Sequence, residues 1–102
     1  MRVWLIAWEE HESGWGVRPD GWSAHRSRQD ADAYVEHQRR TTPNPRPPEH
    51  SNPVHDAPLE GDIPDDHFLA KRIAAVASVR INHYADERYE LERISGVTWP
   101  GP

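Results

Sequence analysis

Between Thr41 and Asp66 the chain reads TTPNPRPPEHSNPVHDAPLEGDIPDD, with seven of the protein's ten prolines and almost no large apolar side chain. Proline lacks a backbone N–H and fixes φ, so this segment cannot be a helix or a central strand. The packed part of the molecule must be assembled from the residues on either side, and the segment reads as an extended, solvated arm. Charge is placed as unevenly as proline. Arg46 stands against Glu49, Asp56, Glu60, Asp62, Asp65 and Asp66, which accounts for the whole formal net charge of −5. Such an arm suits a basic partner, above all through Glu60, Asp62, Asp65 and Asp66, where it leads into the next element. The same carboxylates also suit a helix N-terminus, and Asp62 or Asp65 is a candidate N-cap.

With 102 residues, 35% hydrophobic and 28% charged, the chain has material for a single small domain with a modest core. Cysteine is absent, which removes disulfides, thiolate nucleophiles and cysteine zinc sites. The apolar run from Val3 to Trp8 is too short for a signal-peptide core or a membrane span, so a cytoplasmic protein without membrane association is expected.

In that run Val3, Leu5 and Ala7 alternate with Trp4, Ile6 and Trp8, the pattern of a strand covered on both faces. Arg18-Pro19-Asp20-Gly21 has turn chemistry at each place and predicts a hairpin pairing Trp15–Arg18 with Gly21–His25. With residues 10–14 as the preceding connection, the first 25 residues form a three-stranded antiparallel meander. Ser27 as N-cap, Asp30 at N3, apolar positions at Ala31, Tyr34 and Val35, and Arg39 and Arg40 in the last turn predict a helix over 28–40 that Pro43 stops.

Beyond the arm, Leu69, Ala70, Ile73, Ala74, Val76, Ala77, Ile81, Tyr84, Leu91 and Ile94 fall on one stripe of a long or bent amphipathic helix, interrupted by Arg80, Glu87 and Arg88. The alternation of Val79 and Ile81 leaves open a helix followed by a β-hairpin, with Ala85-Asp86-Glu87-Arg88 as its turn. Gly96 ends either version, and Trp99 in the tail can dock back. The expected fold is α+β: sheet plus helix over 1–40, an irregular acidic arm over 41–66, a mainly helical segment over 67–96 and a tail over 97–102.

Seven histidines, at 11, 25, 37, 50, 55, 67 and 83, invite a search for metal or acid–base chemistry. No HExxH or His-x-His spacing occurs, so no metal and no cofactor is expected. A small histidine-dependent metal protein or enzyme using His25, His67 or His83 stays open as an alternative. Ser23 and His25 share a strand face, yet no nucleophile elbow or third orienting group accompanies them. Gly14, Gly16 and Gly21 have the wrong spacing for a phosphate loop.

Arginines 18, 26, 28, 39 and 40 lie near tryptophans, but the acidic balance opposes direct nucleic-acid binding. Four of the five tryptophans fall within the first 22 residues. An exposed tryptophan beside arginine has the composition of a protein-binding hot spot. Trp15, Arg18, Trp22 and His25 therefore join Glu60, Asp62, Asp65 and Asp66 as candidate partner-binding residues, with no catalytic residue among them. A homodimer joined through the C-terminal stripe, as in a regulatory or structural module, is a further alternative.

The stretch Trp15-Gly16-Val17-Arg18-Pro19-Asp20-Gly21-Trp22-Ser23-Ala24-His25, followed by Ser27 to Tyr34, resembles small uncharacterised proteins of phages and prophages. The resemblance covers a minor part of the chain and brings no catalytic residue with it. It implies an inhibitor of host defence, of the anti-CRISPR kind, that occludes a basic nucleic-acid-binding surface sterically or by mimicking nucleic acid. That implication concerns provenance more than chemistry.

Overall fold

The computed structural model describes residues 1–43 and 49–99. Arg46 and the end of the tail, Pro100 to Pro102, lie outside the described residues. The fold is α+β, and the described residues form five antiparallel strands in one sheet and three helices. The central strand β1 (Arg2–Glu12) pairs with β2 (Gly16–His25), and β2 pairs with β5 (Ser78–Ile81). On its other edge β1 carries both β3 (Glu49–Pro53) and β4 (Leu59–Asp62).

Within the proline-rich segment, Glu49–Pro53 and Leu59–Asp62 are thus not an irregular arm but the two parts of an interrupted edge strand. Its register runs from Glu49 opposite Glu12 to Pro53 opposite Trp8. Val54 N–H then donates to Ala7 O at 2.8 Å, and pairing resumes with Leu59 opposite Leu5. Proline is compatible with this because an edge strand has N–H groups that need no ladder partner. Residues 55–58 loop out where Pro58 interrupts the run.

Because strand side chains alternate, β1 feeds two cores. Val3, Leu5 and Ala7 pack with Trp22, Ala24, Val79 and Ile81, and with Leu69, Ile73 and Leu91 from two helices. Those helices are α2 (Phe68–Val76) and α3 (Asp86–Ser95). Ile6 and Trp8 face the other way, onto Ala31, with Tyr34 and Val35 packed against them from α1 (Arg28–Thr41). Ser27 caps α1 as expected: its side chain accepts the Asp30 N–H at 3.0 Å and donates to the Asp30 carboxylate at 2.8 Å.

Two local expectations are corrected. Arg18-Pro19-Asp20-Gly21 is not a hairpin turn but a bulge inside β2: the register passes from Ala7 opposite Trp22 to Glu9 opposite Pro19. The reversal lies earlier, over Ser13-Gly14-Trp15, where Trp15 N–H returns to Glu12 O at 2.9 Å. Both places supply glycine at positive φ, Gly14 at 83° and Gly21 at 85°, and the same chemistry serves a loop or a bulge.

The C-terminal stripe is likewise not one helix, nor a helix and hairpin. It folds as α2, β5 and α3, and the residues expected to turn, Ala85 to Arg88, begin α3. Asp62 and Asp65 do not cap α2; the His67 imidazole does, with Nδ1 accepting the Leu69 N–H at 3.1 Å. Trp99 docks as expected, edge-on to Trp22 with ring centroids 5.4 Å apart.

A single residue joins α2 to β5, and it is Ala77 at φ 68° and ψ −41°. A Cβ is disfavoured there, so Ala77→Gly is expected to raise stability by about 0.5–1 kcal/mol after the extra chain entropy of glycine is subtracted. Urea unfolding of the two proteins measures this; an unchanged or lower midpoint would show that the backbone is not strained at this position.

Candidate partner-binding surface

The eight candidate residues divide into three places. Glu60, Asp62 and Asp65 lie beside Met1 and Arg2, and Asp66 follows Asp65 in the chain, exposed. Glu60 accepts from Arg2 at 2.9 Å, Asp62 lies 3.3 Å from the same guanidinium, and Asp65 accepts from the N-terminal ammonium. Hydrogen bonding to that ammonium holds the Asp65 carboxyl below its ordinary value. Much of this pole's charge is therefore answered within the chain, which weakens its field toward a partner.

Trp22 and His25 are interior residues, each 0% exposed. Neither has surface to offer a partner. The Trp22 indole donates to Glu92 at 3.0 Å. His25 Nε2 lies 2.7 Å from Ser23 Oγ and its Nδ1 2.7 Å from Ser78 Oγ, while Trp8 Nε1 donates to Ser23 Oγ at 2.7 Å. The third group that Ser23 and His25 lack in the sequence is thus Ser78, brought from β5. Burial pushes the imidazole down to about 4, partly opposed by Asp30. Ser23 is also 0% exposed, so this chain of hydrogen bonds satisfies buried polar groups and is closed to substrate.

Trp15 and Arg18 occupy the third place, the free end of the β1–β2 hairpin. Trp15 is 84% exposed. Arg18 lies opposite Glu10 across the hairpin and is held by Glu10 at 3.2 Å and Glu12 at 3.4 Å. Val17 and Tyr84 are exposed as well. With β3 on its other side, Glu49 lies opposite Glu12, so three carboxylates, Glu10, Glu12 and Glu49, stand at this end against Arg18, while Glu9 points to the other face of β1, 3.1 Å from His11 Nε2. His11 and His50, cross-strand partners, stack with centroids 5.3 Å apart.

The hairpin end is braced at its base. Arg80 on β5 donates to the Asp20 carboxylate at 2.8 Å and to Asp20 O at 3.1 Å, and its guanidinium lies 4.7 Å from the centre of the Trp8 ring. Ser51 on β3 donates to the same carboxylate. Asp20 therefore ties three strands across the bulge, which fixes the direction in which the hairpin projects. Since β1 rises about 3.3 Å per residue, its two ends stand about 33 Å apart, in a molecule 42 Å long. The acidic pole and the Trp15 end are separate surfaces.

A cleft of about 840 Å³ lies between α1 and residues 50–58, floored by Ile6 and Trp8. Its charged lining is Asp32, Glu36 and Asp56 against Arg39, a balance that suits a cationic group over an anion. This cleft is not legible in sequence, because its far wall exists only once the proline-rich segment has paired with β1. Among the described residues no three histidine or carboxylate side chains are grouped to hold a metal ion, and no helix is long and apolar enough to cross a membrane. No family model, curated protein or solved structure matches the chain.

Proposed function

We infer that this is a non-enzymatic binding protein that engages a basic partner through the end of its β1–β2 hairpin. The observation that carries the reading is Trp15, 84% exposed and outside both core clusters. An indole held in water contributes little to folding but much to a contact that buries it. At the same end of the sheet Glu10, Glu12 and Glu49 stand against the one cation Arg18, an excess of carboxylate complementary to a cationic surface, which speeds encounter and selects the partner. The resemblance to small phage and prophage proteins supports the class of partner, a nucleic-acid-handling defence complex, and inhibition by steric or nucleic-acid-mimicking occlusion. Direct binding of nucleic acid is disfavoured, since Arg18, Arg26 and Arg28 are each answered by a carboxylate of this chain.

The test is capture from host lysate with nuclease treatment and a salt series, comparing the natural protein, Trp15→Ala and a charge reversal at Asp62, Asp65 and Asp66. One basic nucleic-acid-handling complex is expected, retained after nuclease and weakened by salt. Trp15→Ala should weaken it by roughly 30-fold or more, and the triple reversal by much less. Equal capture by Trp15→Ala and the natural protein would overturn the hairpin as the contact. Dominant loss in the triple reversal would return the contact to the acidic pole.

A further inference from the structure

Both walls of the cleft between α1 and residues 50–58 are fixed by contacts within the chain. Tyr34 of α1 stands edge-on to Trp8 with ring centroids 5.8 Å apart, and across the cleft Ser51 donates to Asp20, which Arg80 holds at 2.8 Å. A space of about 840 Å³ is in the range of preformed binding sites. Its lining combines two chemistries. Val35, Pro53, Ala57 and Pro58 give apolar walls over the buried floor of Ile6 and Trp8. Asp32 is answered by Arg28 at 3.8 Å, whereas Glu36 on α1 and Asp56 on the opposite wall make no ion pair among the described residues. Carboxylates above an apolar floor focus their field into the space between them. The same face of β1 continues to the hairpin end: Glu10 and Glu12 follow Ile6 and Trp8 at every second residue, and Glu10 lies opposite Ser51 of the cleft wall.

We propose that this cleft receives an arginine side chain of the basic partner, its head between Glu36 and Asp56 and its aliphatic stem along the apolar walls. The proposal rests on the reading of a basic partner, and it extends the contact about 13 Å along β1, from Glu12 to Trp8. A guanidinium suits two facing walls better than an ammonium does. Its planar fork directs five donors to more than one side, it is the more weakly hydrated cation, and its stem packs on apolar surface. Arg39, the one arginine among the described lining residues, repels such a head. Removing the carboxylates and removing Arg39 must therefore change affinity in opposite directions.

An NMR titration of the full chain with N-acetylarginine methylamide, set against the uncharged N-acetylcitrulline methylamide of nearly the same shape, reads the cleft without the partner. The arginine compound is expected to shift the backbone amides of Ile6, Val35 and Asn52 and to bind severalfold more tightly than the citrulline compound. Glu36→Gln combined with Asp56→Asn should weaken it roughly fivefold or more, and Arg39→Gln should tighten it. All three positions are exposed, and circular dichroism confirms an intact fold. In capture from host lysate, the double substitution should lower recovery of the basic complex with Trp15 in place. Equal binding of the two compounds, or indifference to all three charge changes, overturns the cleft as an arginine site. Selective binding with undiminished capture overturns the partner as its occupant, and recovery of no basic complex overturns both readings. Capture lost in the double substitution but kept in Trp15→Ala sinks the hairpin contact and leaves the cleft standing.

Discussion

Gly21→Ala is expected to destabilise the protein by about 3–5 kcal/mol, lowering the melting temperature by roughly 15–25 °C in a domain of this size. Gly21 sits at φ 85°, and a Cβ there would lie 2.0 Å from Ile81 O and 2.8 Å from His83 N. Those atoms belong to the backbone where β5 ends, so no side-chain rotation relieves the overlap. To admit the methyl group, β5 would have to leave β2, taking with it Val79, Ile81 and the Arg80 contacts to Asp20. Gly14→Ala is the control, since φ is 83° and nothing lies within 4 Å. It should lose only the left-handed backbone term of about 1–2 kcal/mol. Equal losses in the two variants, measured by thermal and urea unfolding, would show that the close approach of β5 is not what Gly21 serves.

The same residue shows where local reading of this chain stops. Asp-Gly after proline states that the chain needs a positive φ, but not whether that φ closes a loop or a bulge. The choice is made at long range, by β5 arriving beside Trp22 and by Asp20 finding Arg80 and Ser51. Elements whose signals are local were legible. Strand β1 followed from the alternation of Val3 to Trp8, and α1 from Ser27, Asp30 and the spacing of Ala31, Tyr34 and Val35. The proline segment was legible in what it could not be, a helix or a central strand. Its pairing with β1 was not, because an edge strand has little side-chain pattern of its own. The break after α2 was hidden for a different reason: Ala77 takes a positive φ without being glycine.

The candidate site divides along the same line. Trp15 and Trp22 have similar local composition, but the bulge at Asp20-Gly21 separates their fates. Trp22 lies on the paired side under α3 and Trp99, and Trp15 lies past the end of the second core. Exposure at Trp15 therefore depends on a register that no short window contains. Val76 and Tyr84, placed on the C-terminal stripe by their spacing, are exposed instead, because the chain breaks at Ala77 and α3 starts a new phase.

Acidification from neutral pH to pH 4 is expected to remove about 3 kcal/mol of stability through His25 alone. Buried without a compensating charge in contact, its imidazole is pushed down to about 4 from an ordinary value near 6.5. Its neighbours Ser23 and Ser78 are neutral hydroxyls, and Tyr34 packs against the ring at 5.0 Å. Between those two pH values the unfolded chain binds a proton at this site and the folded chain does not. Stability therefore rises with pH by up to about 1.4 kcal/mol per unit across the window, is fully present above about 6.5, and is lost as pH falls toward 4. His83, lowered by burial and by Arg88, acts with the same sign. The lowered carboxyls of Asp65 and Glu90 act below their ordinary values of 3.8 and 4.5, largely beneath this window. His25→Asn should be less stable at neutral pH, through lost packing and an altered hydrogen-bond chain to Trp8, while its stability varies less between pH 4 and 6.5. Urea unfolding of both proteins across that range reads the slope, and the His25 ring resonances report its protonation directly. A natural protein equally stable at both ends of the window, or a ring that protonates near 6.5 while the fold persists, would mean that the interior around Ser23 and Ser78 admits a charged imidazole.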